Sequence, residues 1–579
     1  LALASIFSMT AVASFGLAWN VVRPWFGRIA ATGAGGLALI GVVLAGNLYA
    51  PVRLLQDPQA VWNAWWWDSD GIGWRASRIV CDGAREGFRC PPPAVETINE
   101  FPAFSFILGD LHPHLMALPF AVTVVALAWN VFAAPAGSLV SWAWTARLAL
   151  AAAVSGALYA LNAWDLPTYT GLLLIAALLA GGPALASRMR AAAVVIAAAL
   201  LPWLPFFATY RPPLVPLGGV EPAWLAEMPL VSRLMGLVAP YLGVRTSAAE
   251  YLTMFGLPYL VGLAFVLTGD YWNDARQTFT RPVVISLASL AVIAVALAAP
   301  VTLLCGVPLV LALQQLVRNH EAQPRTFALA MFSAAWLLSL VVEFVFIRDL
   351  FGNRMNTLFK FYYQAWTLSA LGAAVGLVVL AVAYRRSAPV TWALRTGTAA
   401  FLLLSFAYPV VASRQWADGF ATWQGLDGVA YGQPDEVAAI RFLDSHAQPG
   451  DVVLEAAGCS YYPISEFPYS RVSAFSGVPT IIGWDNHERQ WRSGQPDLTA
   501  EIAVRAADVR QMFADPTSPL YAQYGVDWVF IGRYERGASS PECPAAGPYD
   551  LDLDQFLAAG WEPAFESGDV TLLHRMQPA

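Results

Sequence analysis

The stretch of sequence that decides the fold runs from Tyr363 to Tyr384 and reads YQAWTLSALGAAVGLVVLAVAY. It carries no charged side chain, and it is long enough for a helix to cross a bilayer, which takes about 20 mainly apolar residues. Polar residues precede it from Asn353 to Tyr362, and Arg385 and Arg386 follow it. Because arginine-rich short loops stay on the cytoplasmic side, this pattern predicts a transmembrane helix whose polar end faces outward.

The whole chain has the composition of a membrane protein. Of its 579 residues, 57% are hydrophobic and 13% are charged, with a mean hydropathy of +0.52, whereas soluble proteins carry about 25% charged residues. The net charge of −7 also excludes a nucleic-acid-binding protein, which needs a basic surface. We therefore predict a polytopic α-helical membrane protein.

One basic residue is exceptional. Lys360 is the only lysine in a chain whose other basic residues are arginines. A single lysine in such a chain suggests a need for its compact ammonium group, and chance is the alternative explanation.

Further apolar runs occupy residues 1–412 and predict the membrane topology. Arginine is concentrated in every second loop, which places those loops in the cytoplasm. The other set faces outward and includes a long external loop at 50–114 and the shorter loops 162–167, 210–250 and 347–362. We predict a multi-pass protein of the plasma membrane with about 12 transmembrane helices, at 3–22, 28–49, 115–134, 146–161, 168–185, 191–209, 251–268, 282–299, 300–317, 327–346, 363–384 and 396–412.

The sequence becomes polar after residue 412. The composition of residues 413–579 predicts an extracytoplasmic α/β domain large enough for its own core. An amphipathic pattern predicts a helix at 435–445. Short β-branched and aromatic runs predict strands at 451–455, 480–483, 527–532 and 570–574.

The cysteines agree with this topology. Cys81 and Cys90 share the long external loop, Cys459 and Cys543 share the C-terminal domain, and Cys305 lies alone in a span. Cysteines on the oxidising side of a membrane commonly form disulfides. We predict the pairs Cys81–Cys90 and Cys459–Cys543.

Asp68 and Asp70 follow three tryptophans in the long external loop. Two carboxylates beside an aromatic belt suit a divalent cation or a sugar hydroxyl at the level of the lipid headgroups. The alternative is structural, because Asp-Ser-Asp-Gly is also an ordinary turn.

A second polar group precedes the predicted span at 115–134. Glu100 is followed by Asp110, His112 and His114, and ionisable groups are costly at the mouth of an apolar helix. Carboxylate and imidazole groups act as general bases and as metal ligands. The alternative is that the histidines only cap the helix and form hydrogen bonds at the interface.

Two further groups lie beside later spans. Asp165 lies at the outer end of the fourth span and fits either a site residue or a helix cap. The densest polar run contains Arg354 and Lys360, whose cations suit phosphate or pyrophosphate. The alternative is an ordinary juxtamembrane anchor. We predict substrate-binding roles for Asp165, Asp349, Arg354, Lys360, Tyr362 and Tyr363.

The C-terminal domain contains one loop rich in aromatic and charged residues. Such side chains recognise sugars by stacking and hydrogen bonding, although a loop that docks the domain onto the membrane has the same composition. We predict that this loop and one nearby carboxylate bind acceptor or donor: Glu455, Trp484, His487, Glu488, Trp491 and Arg492.

These motifs together resemble the "YYY" membrane proteins, a family of very hydrophobic proteins that contain a domain of unknown function. The resemblance spans nearly the whole chain. It is carried by GDLHPH at 109–114, NAWD at 162–165, RD at 348–349, RMNTLFKFYY at 354–363, LDG at 426–428, IGW at 482–484, HE at 487–488 and WR at 491–492. Such proteins look like relatives of the GT-C membrane glycosyltransferases, which implies a GT-C-like fold.

The resemblance implies sugar transfer from a polyprenyl-phosphate donor to an external glycan, lipid or protein. Asp110, or Asp68 and Asp70, would then act as base, supported by His112 and His114. Arg354 and Lys360 would bind the leaving phosphate. A divalent cation, Mg²⁺ or Mn²⁺, would be held by Asp68, Asp70, Asp110 and His112.

Two other functions compete with this interpretation. A lipid or glycolipid transporter would use the same outward polar site without catalysis, but it should carry polar residues on both faces of the membrane. A membrane hydrolase built on Asp110, His112 and His114 would require a tightly bound metal. The predicted polar residues lie on one face, which favours a transferase.

Overall fold

A computed structural model of the chain is mainly helical and divides into two compact units. The first unit extends to Ala421 and the second continues from Thr422. The structure describes residues 1–84, 87, 90–133, 141–180, 185–210, 237–268, 272, 275–318, 321–349, 351–421, 425, 427–460, 469–493, 495–538 and 549–575.

Apolar helices form the first unit. Among the described residues, 9 helical segments are long and apolar enough to cross a membrane, and two shorter apolar helices, α8 and α13, accompany them. The helices of this unit are α1 (Ala2–Leu39), α2 (Tyr49–Gln56), α3 (Pro58–Asn63), α4 (Ile72–Arg75), α5 (Pro102–Leu108), α6 (Pro113–Phe132), α7 (Trp142–Leu161), α8 (Asp165–Ala180), α9 (Leu185–Leu200), α10 (Leu204–Thr209), α11 (Ala248–Val266), α12 (Ala275–Thr278), α13 (Arg281–Ala296), α14 (Pro300–Arg318), α15 (Pro324–Val341), α16 (Met355–Ala383) and α17 (Ala388–Trp416). The predicted polytopic helical membrane fold is confirmed.

The first helix is interrupted and forms two spans. Gly27 has a non-helical backbone with φ 80°. A Cβ added at Gly35 would lie 2.7 Å from the ring of Phe15, whereas an unbroken helix would separate these two residues by about 30 Å. The two halves therefore pack back against each other, as the separate predicted spans 3–22 and 28–49 require.

Two predicted boundaries are wrong. The span predicted at 327–346 ends earlier, because α15 ends at Val341 and Val345–Ile347 forms strand β4, which pairs with β3 (Val238–Pro240). A short apolar run does not distinguish strand from helix. The predicted loop 347–362 also contains the first turns of α16. Lys360 therefore lies on a helix, and neighbouring loops cover the polar N-terminal turns of that helix.

The loops collect in the two sets that the arginine pattern predicts. In one set, Arg354 pairs with Asp82 and the Arg348 N–H donates to the Leu237 carbonyl, which joins three of the predicted outer loops. In the other set, Arg325 donates to the Thr268 carbonyl. Helix α16, whose apolar segment is 83% buried, packs against α1, α11 and α15 and connects the two ends of the unit.

The long loop is held by a disulfide. Cys81 and Cys90 are bonded, as predicted, beside the short pair of strands β1 (Cys81–Asp82) and β2 (Val95–Glu96). Cys459 is also disulfide-bonded, but its predicted partner Cys543 lies outside the described residues.

Replacing both Cys81 and Cys90 with serine is expected to lower the free energy of unfolding by about 2–3 kcal/mol. The bond closes a loop with a sequence separation of 9, and its loss restores the chain entropy of that loop in the unfolded state. Thermal unfolding of the double variant in detergent micelles measures the effect. The prediction would be contradicted if the double variant unfolded at the wild-type midpoint and if reductant also left the midpoint of the wild-type protein unchanged.

The second unit contains a mixed four-stranded sheet. Its strands follow the order β5 (Val452–Leu454), β6 (Val526–Ile531), β8 (Val570–Arg575) and β7 (Trp561–Ser567), with β5 and β6 parallel and the other pairs antiparallel. The helices are α18 (Pro434–His446), α19 (Arg471–Ser476), α20 (Asp485–Arg492), α21 (Pro496–Ala514), α22 (Leu520–Tyr524) and α23 (Leu553–Ala558).

The predicted elements of this unit are found with one exception. The helix at 435–445 and the strands at 451–455, 527–532 and 570–574 correspond to α18, β5, β6 and β8. The strand predicted at 480–483 is wrong, because only Thr480 forms a bridge, to Val453. Strand β7 was not predicted, because its alternation is interrupted by Pro563, where the register with β8 shifts.

Candidate functional site

Two helix boundaries shape the polar segment before α6. Helix α5 ends at Leu108 and is followed by Gly109, whose φ of 81° is left-handed, and α6 begins at Pro113, whose ring suits the first helical turn. The connection is therefore a tight turn, and its side chains diverge. His112 Nδ1 lies 2.8 Å from Asp110 Oδ2 at the surface, whereas His114 is buried on α6.

His114 and Glu100 form the buried centre of the site. His114 is 3% exposed, and its Nε2 lies 3.4 Å from Glu100 Oε2. Ser105 Oγ donates to the same carboxylate oxygen at 3.2 Å. The rings of Phe359 and Tyr363 pack edge-on against the imidazole, each with its centre 4.5 Å away.

Glu100 is held in its charged form. Burial raises the pKa of this carboxyl, but the hydrogen bond from His114 and the charge of Arg78 outweigh burial, so the pKa lies below its ordinary value. A carboxylate therefore faces the imidazole.

Lys360 lies beside this centre, near the N-terminus of α16. Its charge interacts with the carboxylates of Asp165 and Glu100, and its Nζ lies 4.4 Å from the centre of the Phe359 ring. Within the described part of the chain, neither a hydrogen bond nor a salt bridge engages this ammonium group. Its donors are therefore available to an anionic ligand.

Asp165 joins the site from the start of α8. Gln364 Nε2 donates to Asp165 Oδ1 at 2.7 Å and to the Trp164 carbonyl at 2.9 Å. Because Gln364 follows Lys360 by one helical turn, both side chains lie on the same face of α16. Asp165, Lys360 and Glu100 are thus brought together from three distant parts of the sequence.

Asp68 and Asp70 serve the structure of the long loop. Asp68 Oδ2 accepts the Trp65 N–H at 2.7 Å, which closes a turn. Asp70 forms a salt bridge of 2.7 Å with Arg53. These contacts agree with the structural alternative for this motif, and a catalytic role of either residue stays a prediction.

Each of the predicted metal ligands has another contact within the described chain. Over the residues that the structure describes, no three His, Cys, Asp or Glu side chains gather as metal ligands. Asp110 pairs with His112, while Asp68 and Asp70 are engaged in other contacts. The Mg²⁺ or Mn²⁺ site expected at Asp68, Asp70, Asp110 and His112 therefore stays a prediction.

Arg354 is the hub of a buried ion cluster. Its Nε donates to Asp82 Oδ1 at 2.8 Å and its Nη1 donates to Glu343 Oε1 at 2.9 Å. The side chain is 0% exposed and lies against the Tyr241 ring. Burial lowers the pKa of Arg354, but Glu343 and Asp82 outweigh it and raise the pKa above its ordinary value. This arrangement favours a structural role over the predicted phosphate contact.

The remaining predicted residues of this region have different surroundings. Asp349 accepts the Phe351 N–H and the Asn356 amide, both at 2.9 Å, and so stabilises the turn before α16. Burial raises the pKa of Asp349. Tyr362 packs against Phe255, away from His114. Of the two tyrosines, Tyr363 is the one that contacts the buried centre.

In the second unit, the predicted residues lie on two elements. Glu455 is buried and accepts the N–H groups of Val472 and Ser473 at 3.0 and 2.9 Å, and burial raises its pKa. Trp484 precedes α20, and its indole donates to the Tyr469 carbonyl. Trp491 is 51% exposed. His487, Glu488 and Arg492 share α20 with it, and Glu488 pairs with Arg492.

Sequence analysis missed several residues of the site. Glu100 was noted in its motif but not assigned a role, and Ser105 and Gln364 were not selected. The available signal for Glu100 was a carboxylate immediately before an apolar helix. Ser105 and Gln364 are common in membrane helices, so only their contacts with Glu100 and Asp165 identify them.

An apolar helical bundle with an ionisable cluster at one end defines a polytopic membrane protein with a candidate ligand site at one face. The chain belongs to the family described as "Uncharacterized membrane protein (DUF2298)", whose sequence profile matches residues 1–369. The resemblance to the "YYY" membrane proteins is thereby confirmed. No curated protein matches the sequence.

Solved structures with a similar arrangement include the oligosaccharyltransferase AglB of Archaeoglobus fulgidus. Its complex with Zn and sulfate has 12% identity and a TM-score of 0.38, covering 92% of this chain and 56% of that one. The form tethered to an acceptor peptide has 12% identity and a TM-score of 0.35, covering 92% and 58%. A complex with an inhibitory peptide and a dolichol-phosphate has 12% identity and a TM-score of 0.31, covering 92% and 58%.

Proposed function

We propose that this protein is a GT-C-type membrane glycosyltransferase that moves a hexosyl or pentosyl group from a polyprenyl-phosphate donor to an external acceptor. The observation that carries the proposal is the Lys360 ammonium group. It lies among Glu100, Asp165 and His114 with no hydrogen bond or salt bridge from the described residues. A partly buried cation beside carboxylates suits a reaction in which an acceptor loses a proton and a phosphate departs.

Each role follows from the position of a side chain. The acceptor hydroxyl forms a bond to the anomeric carbon of the sugar as the bond from that carbon to the phosphate oxygen breaks. Asp110 takes the acceptor proton, because its carboxylate is 44% exposed and His112 holds it in place. Lys360 binds the departing phosphate. Arg354 acts at a distance, by fixing the N-terminus of α16 on which Lys360 lies.

The arginine pattern supports the orientation of the site. The loops that meet around Glu100, Asp165 and Lys360 alternate along the chain with the short arginine-containing loops, and the positive-inside rule therefore supports a site outside the cytoplasm. We accordingly place the protein in the plasma membrane with its C-terminal unit outside. The exposed Trp491 and the charged face of α20 suit contact with a glycan, lipid or protein acceptor.

The single lysine makes a direct test of the phosphate site possible. Protein labelled with ¹⁵Nζ-lysine is placed in phosphatidylcholine nanodiscs with undecaprenyl phosphate, and dipolar coupling between ¹⁵N and ³¹P is measured by solid-state NMR. We expect the lysine signal to couple to the monoester phosphorus, which resonates apart from the diester of the bilayer lipid. No coupling at saturating undecaprenyl phosphate would contradict the proposal.

A transfer assay separates the enzyme from a transporter. Purified protein in proteoliposomes receives radiolabelled polyprenyl-phosphate sugars, and both the movement of the lipid between leaflets and the formation of labelled product are measured. A transferase produces a labelled acceptor or, without an acceptor, slow hydrolysis to free sugar. Movement of intact donor without either product would favour the transporter.

A further inference from the structure

His114 has one engaged ring nitrogen and one unengaged ring nitrogen. Nε2 lies 3.4 Å from both Glu100 Oε2 and Ser105 Oγ. Nδ1 is buried and has no hydrogen-bond partner among the described residues. An unsatisfied polar atom inside a protein costs about 1–3 kcal/mol, so this nitrogen calls for a ligand or another functional explanation.

The partner of Nε2 determines the hydrogen-bonding character of Nδ1. A carboxylate only accepts hydrogen bonds. Ser105 Oγ donates its single proton to Glu100 Oε2, so it too can only accept a hydrogen bond from Nε2. When the imidazole carries one proton, that proton therefore lies on Nε2. Nδ1 is left with a lone pair, which accepts a hydrogen bond and repels a phosphate oxygen.

The surroundings fix the ring and place it beside the phosphate position. Phe359 and Tyr363 hold the imidazole edge-on, and the charge of Lys360 acts on it. The His112 ring lies 5.1 Å from the His114 ring, centre to centre, and is itself 38% exposed.

We infer that His114 Nδ1 accepts a hydrogen bond from a hydroxyl group of the donor sugar and thereby helps the site to distinguish a glycosylated lipid phosphate from the bare lipid phosphate. The inference rests on the proposed function. In a glycosylated donor, the sugar hydroxyls lie next to the phosphate that Lys360 binds, whereas bare prenyl phosphate offers mainly oxygen acceptors. Glu100 and Ser105 are positioning residues, because they act through the orientation and proton of the ring.

The first experiment tests the state of the ring without any ligand. Protein labelled with ¹⁵N-histidine is compared with the His114→Phe variant, which identifies the His114 signals in the NMR spectrum. We expect a protonated Nε2 and an unprotonated Nδ1. In Glu100→Gln, whose amide can donate as well as accept, we expect a mixture of tautomers. A proton on Nδ1 in the wild-type protein would overturn the inference.

The second experiment measures binding of two kinds of probe. Geranylgeranyl phosphate is compared with its mannosyl, glucosyl and arabinosyl derivatives by microscale thermophoresis on protein in nanodiscs. We expect His114→Phe to weaken the best-bound glycosylated probe about tenfold, as expected for one lost hydrogen bond, with bare phosphate unchanged. His114→Asn, whose amide keeps a polar group near the Nδ1 position, should recover part of the loss.

The outcomes separate the inference from the proposed function. Equal weakening of bare and glycosylated probes in a folded His114→Phe protein would overturn the hydroxyl assignment and leave the transferase proposal in place. Wild-type protein that binds the bare phosphate and none of the glycosylated probes would overturn both.

Discussion

Replacing Lys360 with methionine is expected to reduce sugar transfer at least about 100-fold, the usual cost of removing one group that stabilises developing charge in a water-poor site. Methionine keeps the length and flexibility of the side chain and removes the ammonium. Because no other lysine exists in the chain and Arg354 is engaged by Asp82 and Glu343, a nearby cation cannot easily take over. The rate is measured as label transferred from polyprenyl-phosphate sugars in proteoliposomes.

The matched control lies beyond the other end of the same helix. Arg386 is an exposed cation after the C-terminus of α16, so Arg386→Met removes the same charge from the opposite face and should leave the rate within twofold of wild type. Lys360→Arg keeps the charge but spreads it over a planar group, and partial activity is expected. Full transfer by Lys360→Met would remove Lys360 from the mechanism.

Replacing Arg354 with methionine is expected to destabilise the first unit by about 3–5 kcal/mol, because removing one partner of a buried ion pair leaves uncompensated charge. Here two carboxylates, Asp82 and Glu343, would lose their shared cation. The free energy of unfolding in mixed micelles measures the loss. Arg386→Met again serves as the control and should change it by less than about 0.5 kcal/mol.

If the loss of stability comes from unpaired buried charge, removing all three charges of the cluster should restore it. In the triple variant Arg354→Met, Asp82→Asn and Glu343→Gln, none of the charges of this cluster remains, so most of the lost stability should return. If the triple variant is as unstable as Arg354→Met alone, the effect comes from packing against Tyr241 and not from charge. If Arg354→Met is as stable as wild type, the cluster does not hold the outer loops together.

The effects expected for Lys360→Met and Arg354→Met differ in kind, although both residues belong to one polar run of the sequence. Lys360 and Arg354 are both cations in the segment 353–364, and sequence analysis predicts phosphate binding for both. Their contacts separate them, because Arg354 has two carboxylate partners at hydrogen-bonding distance and Lys360 has none in the described chain. We therefore expect Arg354→Met to act through stability and Lys360→Met through transfer.

Much of the fold follows from local pattern. Apolar runs predicted a helix at each proposed span, because the cost of exposing backbone polar groups to lipid leaves a long apolar segment few alternatives to a helix. The break near Gly27 was visible as a polar interruption between two runs. The boundaries at Val341 and Met355 were not visible, because short strand β4 and the polar start of α16 depend on pairing with distant loops.

The sequence by itself determined that this is a membrane protein, which loops share a face, and that chemically unusual residues collect on one of those faces. These properties depend on composition and on local periodicity, which involve only residues close together in the sequence. Only the tertiary structure decided that Glu100 holds His114, that Lys360 has no hydrogen bond or salt bridge within the described chain, and that Arg354, Asp68 and Asp70 are engaged elsewhere. The physical reason is that the electrostatics of a buried side chain depend on its neighbours in space, and here those neighbours come from parts of the sequence far apart.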